Sequence, residues 1–209
     1  MNAILLPAAA GVTSRISSAR VDRGHQTNLP RASQPSTVGD DVTEPEVWLR
    51  GPLVDVPPLF QPVAHSLLQC REEVRECLPR MTRDQVWART GDSAAIGYHV
   101  RHAIGSLDRL LTYAQGEQLS DEQLASMGNE SDASRAPRTP DDLVAAFDAA
   151  VQRAIAQVGA TPPDTAFLLR EVGRGRLPST VLGLLFHAAE HTQRHIGQVA
   201  TLVKVAGIA

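Results

Sequence analysis

The stretch LLFHAAEHTQRHIGQVATL, residues 184–202, carries the clearest signal in this chain. Its aliphatic residues recur with the period of an amphipathic α-helix that buries one stripe. His187, His191 and His195 follow one another at intervals of four, so successive pairs stack on one helix face. Two imidazoles placed in this way can hold one divalent metal ion, and a histidine from a second helix would complete a three-ligand site.

The helical wheel places these histidines at different angles from the buried stripe. His195 lies roughly 50° from the centre of the stripe, His191 roughly 90° and His187 roughly 130°. His191 and His195 are therefore expected to project between helices, and His187 is expected at the surface. The alternative is a core His195 that bonds a backbone carbonyl, but a histidine pair facing another histidine-bearing helix favours a metal site. The stripe comprises Val181, Leu184, Leu185, Ala188, Val199 and Leu202.

A second histidine cluster lies in IGYHVRHAIGSLDRLLTY, residues 96–113, which also has a helical period. His99 lies roughly 80° from the apolar stripe of this helix, and His102 lies roughly 140° from it. The wheel alone favours His99 as the third ligand. A site between neighbouring helices can also use a residue on the flank, so the spacing leaves both histidines open.

Four long helices are predicted, and together they indicate an all-α fold, an antiparallel four-helix bundle. The first spans residues 59–78. The second follows Ser93, which is predicted as its N-cap, and ends at Gln115, before a glycine. The last follows segment 178–180 and runs to about Val205.

The connections between the long helices are polar and contain several start signals. Thr82 is predicted to cap a short helical piece. The sequence TPDD, residues 139–142, combines a cap, a proline at the first position and two acids, and starts the third long helix, which ends near Val158. Residues 117–139 form a long crossover between the second and third helices, and residues 166–172 are expected to be extended.

The chain is expected to contain one folded domain after a disordered tail. Residues 1–44 are rich in arginine, serine and turn formers, which is typical of disorder. Residues 45–209 form the predicted bundle, and Trp48 and Leu49 are expected to anchor the chain that enters it. The apolar fraction of 43% is ordinary for a globular protein.

Charge, hydropathy and cysteine content exclude some functions. The net charge of −3 gives no indication of a nucleic-acid partner, and no apolar run approaches the length of a membrane span. The residues that begin the chain lack the basic n-region of a secretory signal. Cys70 and Cys77 share one predicted helix, roughly 10 Å apart, beyond disulfide reach. Free thiols and the missing signal predict a cytoplasmic protein.

The two histidine-bearing helices resemble those of the DinB superfamily, which contains bacillithiol S-transferases and mycothiol-dependent maleylpyruvate isomerase-like proteins. The family's second helix carries a ligand histidine followed by two small or aliphatic residues. HAI, residues 102–104, fits that pattern, and HVR, residues 99–101, does not. The family's last helix carries two histidines four apart and then a Gly-Gln pair, as in HTQRHIGQ, residues 191–198.

The resemblance covers residues 48–205 and implies a DinB-like bundle with a metal site of His102, His191 and His195. It also implies a metal-dependent enzyme such as a thiol S-transferase, with zinc or nickel as the divalent ion. Its partner would be a small-molecule substrate, such as a low-molecular-weight thiol. The resemblance also allows the protein to form a homodimer. The alternative is a non-catalytic bundle that the metal only stabilises.

Two further expectations concern charge and pH. Arg101, Arg109, Arg174, Arg176 and Arg194 lie near the histidine clusters and could hold an anionic substrate. Ordinary surface arginines are the favoured interpretation. Metal binding is expected to weaken as the pH falls through the imidazole range, near 6.5, because protons compete for the ring nitrogens. The metal-free protein is expected to show no matching loss of stability.

Overall fold

The computed structural model describes residues 44–137 and 139–208, which contain six α-helices and one two-stranded antiparallel sheet. The predicted disordered tail, residues 1–44, lies almost wholly outside the described residues. The elements are α1 (Gln61–Cys77), α2 (Arg83–Trp87), α3 (Ile96–Gln115), α4 (Asp121–Gly128), α5 (Pro140–Ala160), β1 (Leu169–Val172), β2 (Leu177–Thr180) and α6 (Val181–Val205).

The four long helices α1, α3, α5 and α6 form the predicted bundle. Both α1 and α3 pack against α5 and α6, so α1 and α3 lie at opposite corners of the bundle. The contact between α3 and α6 is the most extensive in the described residues, which brings the two histidine-bearing helices together. The all-α bundle and its crossover, with α4 between α3 and α5, are confirmed.

The predicted apolar stripes form the core, because helical periodicity places them on one face. On α1, Cys70 is buried together with apolar residues of that helix, and Cys70 and Cys77 are free thiols. Leu110 of α3 and Leu202 of α6 are only half-buried. The stripe of the first helix is wholly buried: Phe60, Val63, Ala64, Leu67, Val74 and Leu78.

Helix starts agree with the sequence at two predicted positions and differ at a third. Thr82 and Thr139 each cap a helix through a reciprocal capping box. The prediction that Ser93 caps α3 is wrong, because the N-cap residue is Ala95 and the Ser93 hydroxyl donates to the carbonyl oxygen of Thr90 at 2.6 Å. The loop before α3 therefore uses the serine to close its own turn.

Residues 166–172 contain the expected extended segment, but its partner strand β2 was not predicted. The hairpin has Leu169 opposite Thr180 and Val172 opposite Leu177. Arg170 donates its Nε hydrogen to the carbonyl oxygen of Ala114 at 2.8 Å, which fastens the hairpin to the end of α3. The hairpin thus lies beside the bundle, between α5 and α6 in the chain.

The chain that enters the domain is anchored differently from the prediction. Trp48 and Leu49 are largely exposed, and Val47 is buried instead. The backbone N–H of Val47 donates to Gln69 Oε1 at 3.2 Å. None of the helices in residues 44–137 and 139–208 combines the length and apolar content that a membrane span requires.

Candidate metal centre

Three histidines from two helices converge at the interface of α3 and α6. His102, His191 and His195 each offer one ring nitrogen, and these three atoms lie within 4.8 Å of one another. His102 Nε2 is 3.0 Å from His191 Nε2, and the ring of His195 lies with its centroid 4.6 Å from each of the other two. All three side chains are half-buried. The structure therefore brings together the three residues that the resemblance implied.

The other two histidines of the clusters lie next to this group. His99 is buried, and its Nδ1 lies 3.0 Å from His195 Nδ1, so it contacts the back of the His195 ring. His187 is exposed as expected, and its Nδ1 lies 3.3 Å from Glu190 Oε2. His99 is thus placed to orient His195, since a hydrogen bond at one ring nitrogen determines which nitrogen is free for a metal.

Glu130, in the crossover, is the site residue that sequence reasoning missed. Its Oε2 lies 2.6 Å from His102 Nδ1, which donates the hydrogen bond. In the neutral imidazole, a hydrogen on Nδ1 leaves the lone pair of His102 on Nε2, which faces His191. A carboxylate behind a histidine in this way fixes the tautomer and makes the imidazole a stronger metal ligand. Glu130 lies just after α4, in a polar segment with no periodicity that could have marked it.

Arg109 holds the other oxygen of the same carboxylate. Its Nη1 donates to Glu130 Oε1 at 2.8 Å, and the side chains are only 9% and 6% exposed. Ordinary surface exposure, the favoured interpretation of this arginine, is therefore wrong. Arg101 donates to the backbone carbonyls of Glu130 and Asp132. Two arginines of α3 thus fix the crossover segment that supplies the carboxylate.

Gly105 makes room for this ion pair on the surface of α3. A Cβ at this position would overlap Glu130 Oε1 and would lie 2.7 Å from Arg109 Nη1. Real Cβ atoms do not approach other atoms so closely, so alanine here would displace the pair. The close approach of Glu130 to His102 therefore depends on a glycine one turn along α3.

Burial sets the protonation of His99, His191 and His195. Burial, followed by the charges of neighbouring histidines, lowers the pKa of His195 to about 4. Burial likewise lowers the pKa values of His99 and His191. Burial alone would raise the pKa of Glu130, but hydrogen bonds from His102 and Arg109 outweigh it and lower the pKa. At neutral pH the site therefore combines neutral imidazoles on His191 and His195 with an ionised carboxylate.

This burial changes the expectation for the metal-free protein. The unfolded chain takes up protons on histidine near pH 6.5, whereas folded His195 does so only near its pKa of about 4. The unfolded state then binds more protons below pH 6.5, so stability falls as the pH falls from about 6.5 to about 4. We expect His195 to contribute up to about 1 kcal/mol per pH unit in that range. Urea unfolding in chelator at several pH values measures this loss, and a flat profile would contradict it.

The donor set fits a divalent metal ion. Three neutral imidazole nitrogens suit zinc, nickel and similar ions, and three protein ligands leave one coordination position free. His191 Nδ1 is buried and has no hydrogen-bond partner in the described residues, so the contact of its Nε2 with His102 is the one that positions the ring. The residues present are therefore compatible with the ion that the resemblance implies.

An open cavity lies beside the histidine group. It has a volume of about 390 Å³, and His102 and His191 line it together with Ser106 of α3. A larger cavity of about 540 Å³ lies elsewhere, against Cys77 and Val203, and contains none of the five clustered histidines. Of these two cavities, only the smaller one reaches the candidate ligands.

Single substitutions distinguish a ligand from its neighbour on α3. Ligands in structural zinc sites contribute roughly 3 kcal/mol each, so His102→Ala is expected to weaken metal binding about a hundredfold or more. His99→Ala removes a contact that orients His195 and is expected to weaken metal binding about tenfold, the lower end of the effect of such a partner. Competition titration with a chelating dye measures both affinities. The reverse order would show that the helical wheel, and not the resemblance, identifies the ligand.

Comparison with known proteins agrees with this picture. The family model of the DinB superfamily matches residues 66–199, which include the three converging histidines. A crystal structure of a DinB-like protein from Bacillus cereus ATCC 10987 is similar in fold, with a TM-score of 0.51 and 12% sequence identity, over 68% of this chain and 92% of that one. Comparison with curated proteins gives no significant match. Since the family model matches well over half of the sequence, this chain belongs to the DinB superfamily.

Proposed function

We propose that this protein is a metal-dependent enzyme that transfers a small thiol to an electrophilic acceptor. The observation that supports it best is the group of three half-buried imidazoles beside a cavity of about 390 Å³. A structural metal site is normally closed by four protein ligands, whereas three ligands next to an open cavity are typical of a catalytic site. Zinc or nickel suits these donors.

The residues of the chain divide the work of the proposed site. His102, His191 and His195 hold the ion, which when bound lowers the pKa of a coordinated thiol so that a thiolate forms at neutral pH. Glu130 holds the hydrogen on His102 Nδ1 and keeps its Nε2 turned to the site. The buried Arg109 keeps Glu130 ionised and in place. The cavity receives the thiol and the acceptor.

The reaction can be tested without knowledge of the natural substrate. Protein loaded with zinc or nickel is given a panel of low-molecular-weight thiols and a chromogenic aryl halide. Sulfur then forms a bond to the ring carbon and halide leaves. We expect turnover that requires stoichiometric metal, and we expect cobalt-loaded protein to develop a thiolate-to-cobalt absorption band with the active thiols. Stoichiometric metal without any thiol band would contradict a thiol transferase.

One observation favours a second candidate, a bundle that the metal only stabilises. The converging histidines come from two helices, so an ion bound by them would tie α3 to α6. Binding to the folded state alone raises stability according to ligand concentration and affinity. Melting curves with and without chelator would then differ widely while the thiol panel gives neither turnover nor a cobalt band.

We also propose a cytoplasmic location. Cys70 and Cys77 are both reduced, and Cys70 is buried in α1, where burial raises the pKa of its thiol to about 12. Free thiols with no disulfide in the described residues are typical of proteins in a reducing compartment such as the cytoplasm. Fractionation of the source cells with an antibody against the chain tests this location, and recovery outside the cytoplasm would contradict it.

A further inference from the structure

The cavity beside the histidines has an apolar wall that the metal site itself does not require. Leu110 of α3, Leu119 of the crossover, and Leu124 and Met127 of α4 all line it. These side chains are half-buried or exposed, so the wall is open to a ligand. A volume of about 390 Å³ falls in the range of pockets for small organic molecules. The wall therefore suits a ligand with an apolar body.

The charged residues that line the cavity are all basic. Among the described residues its lining includes two arginines, Arg109 and Arg174, and no carboxylate. The charge of Arg109 is balanced by Glu130, at 2.8 Å. Arg174 lies at the tip of the hairpin, is exposed, and forms no ion pair within residues 44–137 and 139–208. Arg174 is thus a guanidinium at the cavity that has no ion-pair partner among the described residues.

The next arginine of the hairpin is paired, so an unpaired guanidinium is not a general property of the hairpin. Arg176, two residues further on, donates its Nε hydrogen to Glu171 Oε2 at 2.5 Å and does not line the cavity. A guanidinium with free donors binds carboxylate or phosphate oxygens in a fork-like geometry. Arg174 has the position and the free donors for that contact, and Arg176 does not.

We propose that this cavity binds a small organic anion with an apolar body, whose anionic group pairs with Arg174 and whose other end reaches the histidines. The proposal rests on the proposed function, since it describes the substrate class of the same site. The shared chemistry is a carboxylate or phosphate on an aliphatic or aromatic frame. Arg174 is then a residue that determines specificity.

Methionine signals give a direct test of the cavity. The chain contains three methionines, of which Met127 lines the cavity and Met81 is buried in the core. Zinc-loaded protein with carbon-13 methionine methyl groups is titrated with 6-mercaptohexanoate and, separately, with the neutral 6-mercaptohexanol. We expect both to shift the Met127 signal and not the Met81 signal. We expect the carboxylate to bind about twofold to fivefold more tightly, as one charged pair at a partly wet site allows.

Two matched variants test whether Arg174 causes the preference for the carboxylate thiol. Arg174→Gln is expected to bind both thiols with equal affinity, and Arg176→Gln is expected to keep the preference of the original protein. Equal affinities in the original protein, or a preference that survives in Arg174→Gln, would overturn the proposal. Phenyl phosphate and benzoate in the same titration distinguish a phosphate from a carboxylate as the preferred anion.

Failure of the proposed function gives a different result. If cobalt-loaded protein shows no thiolate band with either thiol, the thiol transferase is contradicted. The anion site is then tested by comparing the affinities of hexanoate and hexanol, which carry no thiol. Both affinities are measured from the same Met127 signal. A preference for hexanoate that Arg174→Gln removes supports the anion site by itself, and the absence of that preference overturns it.

Discussion

Replacing both His191 and His195 by alanine is expected to reduce bound metal from one ion per chain to background. Four-ligand zinc sites bind with about 10–16 kcal/mol, which is roughly 3 kcal/mol per ligand. Loss of two ligands then costs about 6 kcal/mol, or roughly four orders of magnitude in affinity. Elemental analysis of the purified variant after dialysis against buffered zinc measures the outcome.

His187→Ala is the matched control for this experiment. It removes an exposed imidazole one turn earlier on α6, which contacts Glu190 and does not belong to the converging group. We expect it to retain a full equivalent of metal. Helical circular dichroism of both variants verifies that the bundle is intact. Full metal retention by the double variant would eliminate the site altogether.

Glu130→Ala is expected to cause the largest loss of stability of any single change near the site. The substitution leaves Arg109 with a buried charge and removes its partner at 2.8 Å. Breaking a buried pair from one side costs about 3–5 kcal/mol, because the remaining charge stays desolvated. For a domain of this size the melting temperature is then expected to fall on the order of ten degrees. Thermal unfolding of the metal-free protein measures it.

Further variants separate the two roles of this carboxylate. Glu117→Ala removes an exposed carboxylate of the same crossover and is expected to change stability by no more than about 0.5 kcal/mol. Arg109→Met combined with Glu130→Leu removes both buried charges, so much of the stability is expected to return. Metal affinity is expected to stay about 10–100-fold lower, because His102 has lost its carboxylate. Equal recovery of both properties would contradict a role for Glu130 in orienting His102.

The bundle was predictable because it depends on local patterns. The apolar stripes of α1, α3 and α6 repeat every three or four residues, and caps such as Thr82 and Thr139 use side chains within three residues of their targets. Ser93 was predicted as an N-cap because serine is favoured at that position. Serine is also favoured in turns, and here its hydroxyl closes the turn before the helix. The partner strand β2 depends on pairing across a turn, which single-residue patterns do not show.

The site was predictable only in part, for a geometric reason. A wheel measures angles from the centre of the apolar stripe, and α3 buries that stripe against both α5 and α6. The histidine group lies at the flank of α3 that faces α6. His99 is nearer the stripe and is therefore the more buried of the two histidines of α3. His102 lies on the flank and therefore reaches the group. Glu130 is distant in sequence from His102 and meets it only through the folded crossover, so no spacing rule could have linked them.

The placement of Glu130 limits how relatives of this protein can diversify. The imidazoles stand on two rigid helices, while the crossover and the hairpin supply much of the surface that a ligand meets, through residues such as Leu124 and Arg174. Exchange of those two segments would give a new selectivity on an unchanged scaffold. The tip of the hairpin, which carries Arg174, is free to vary in this way, but the crossover is not, because it also carries the carboxylate behind His102. We therefore expect a chimera that receives a foreign crossover to bind metal as tightly as this chain only if an acid occupies the position of Glu130.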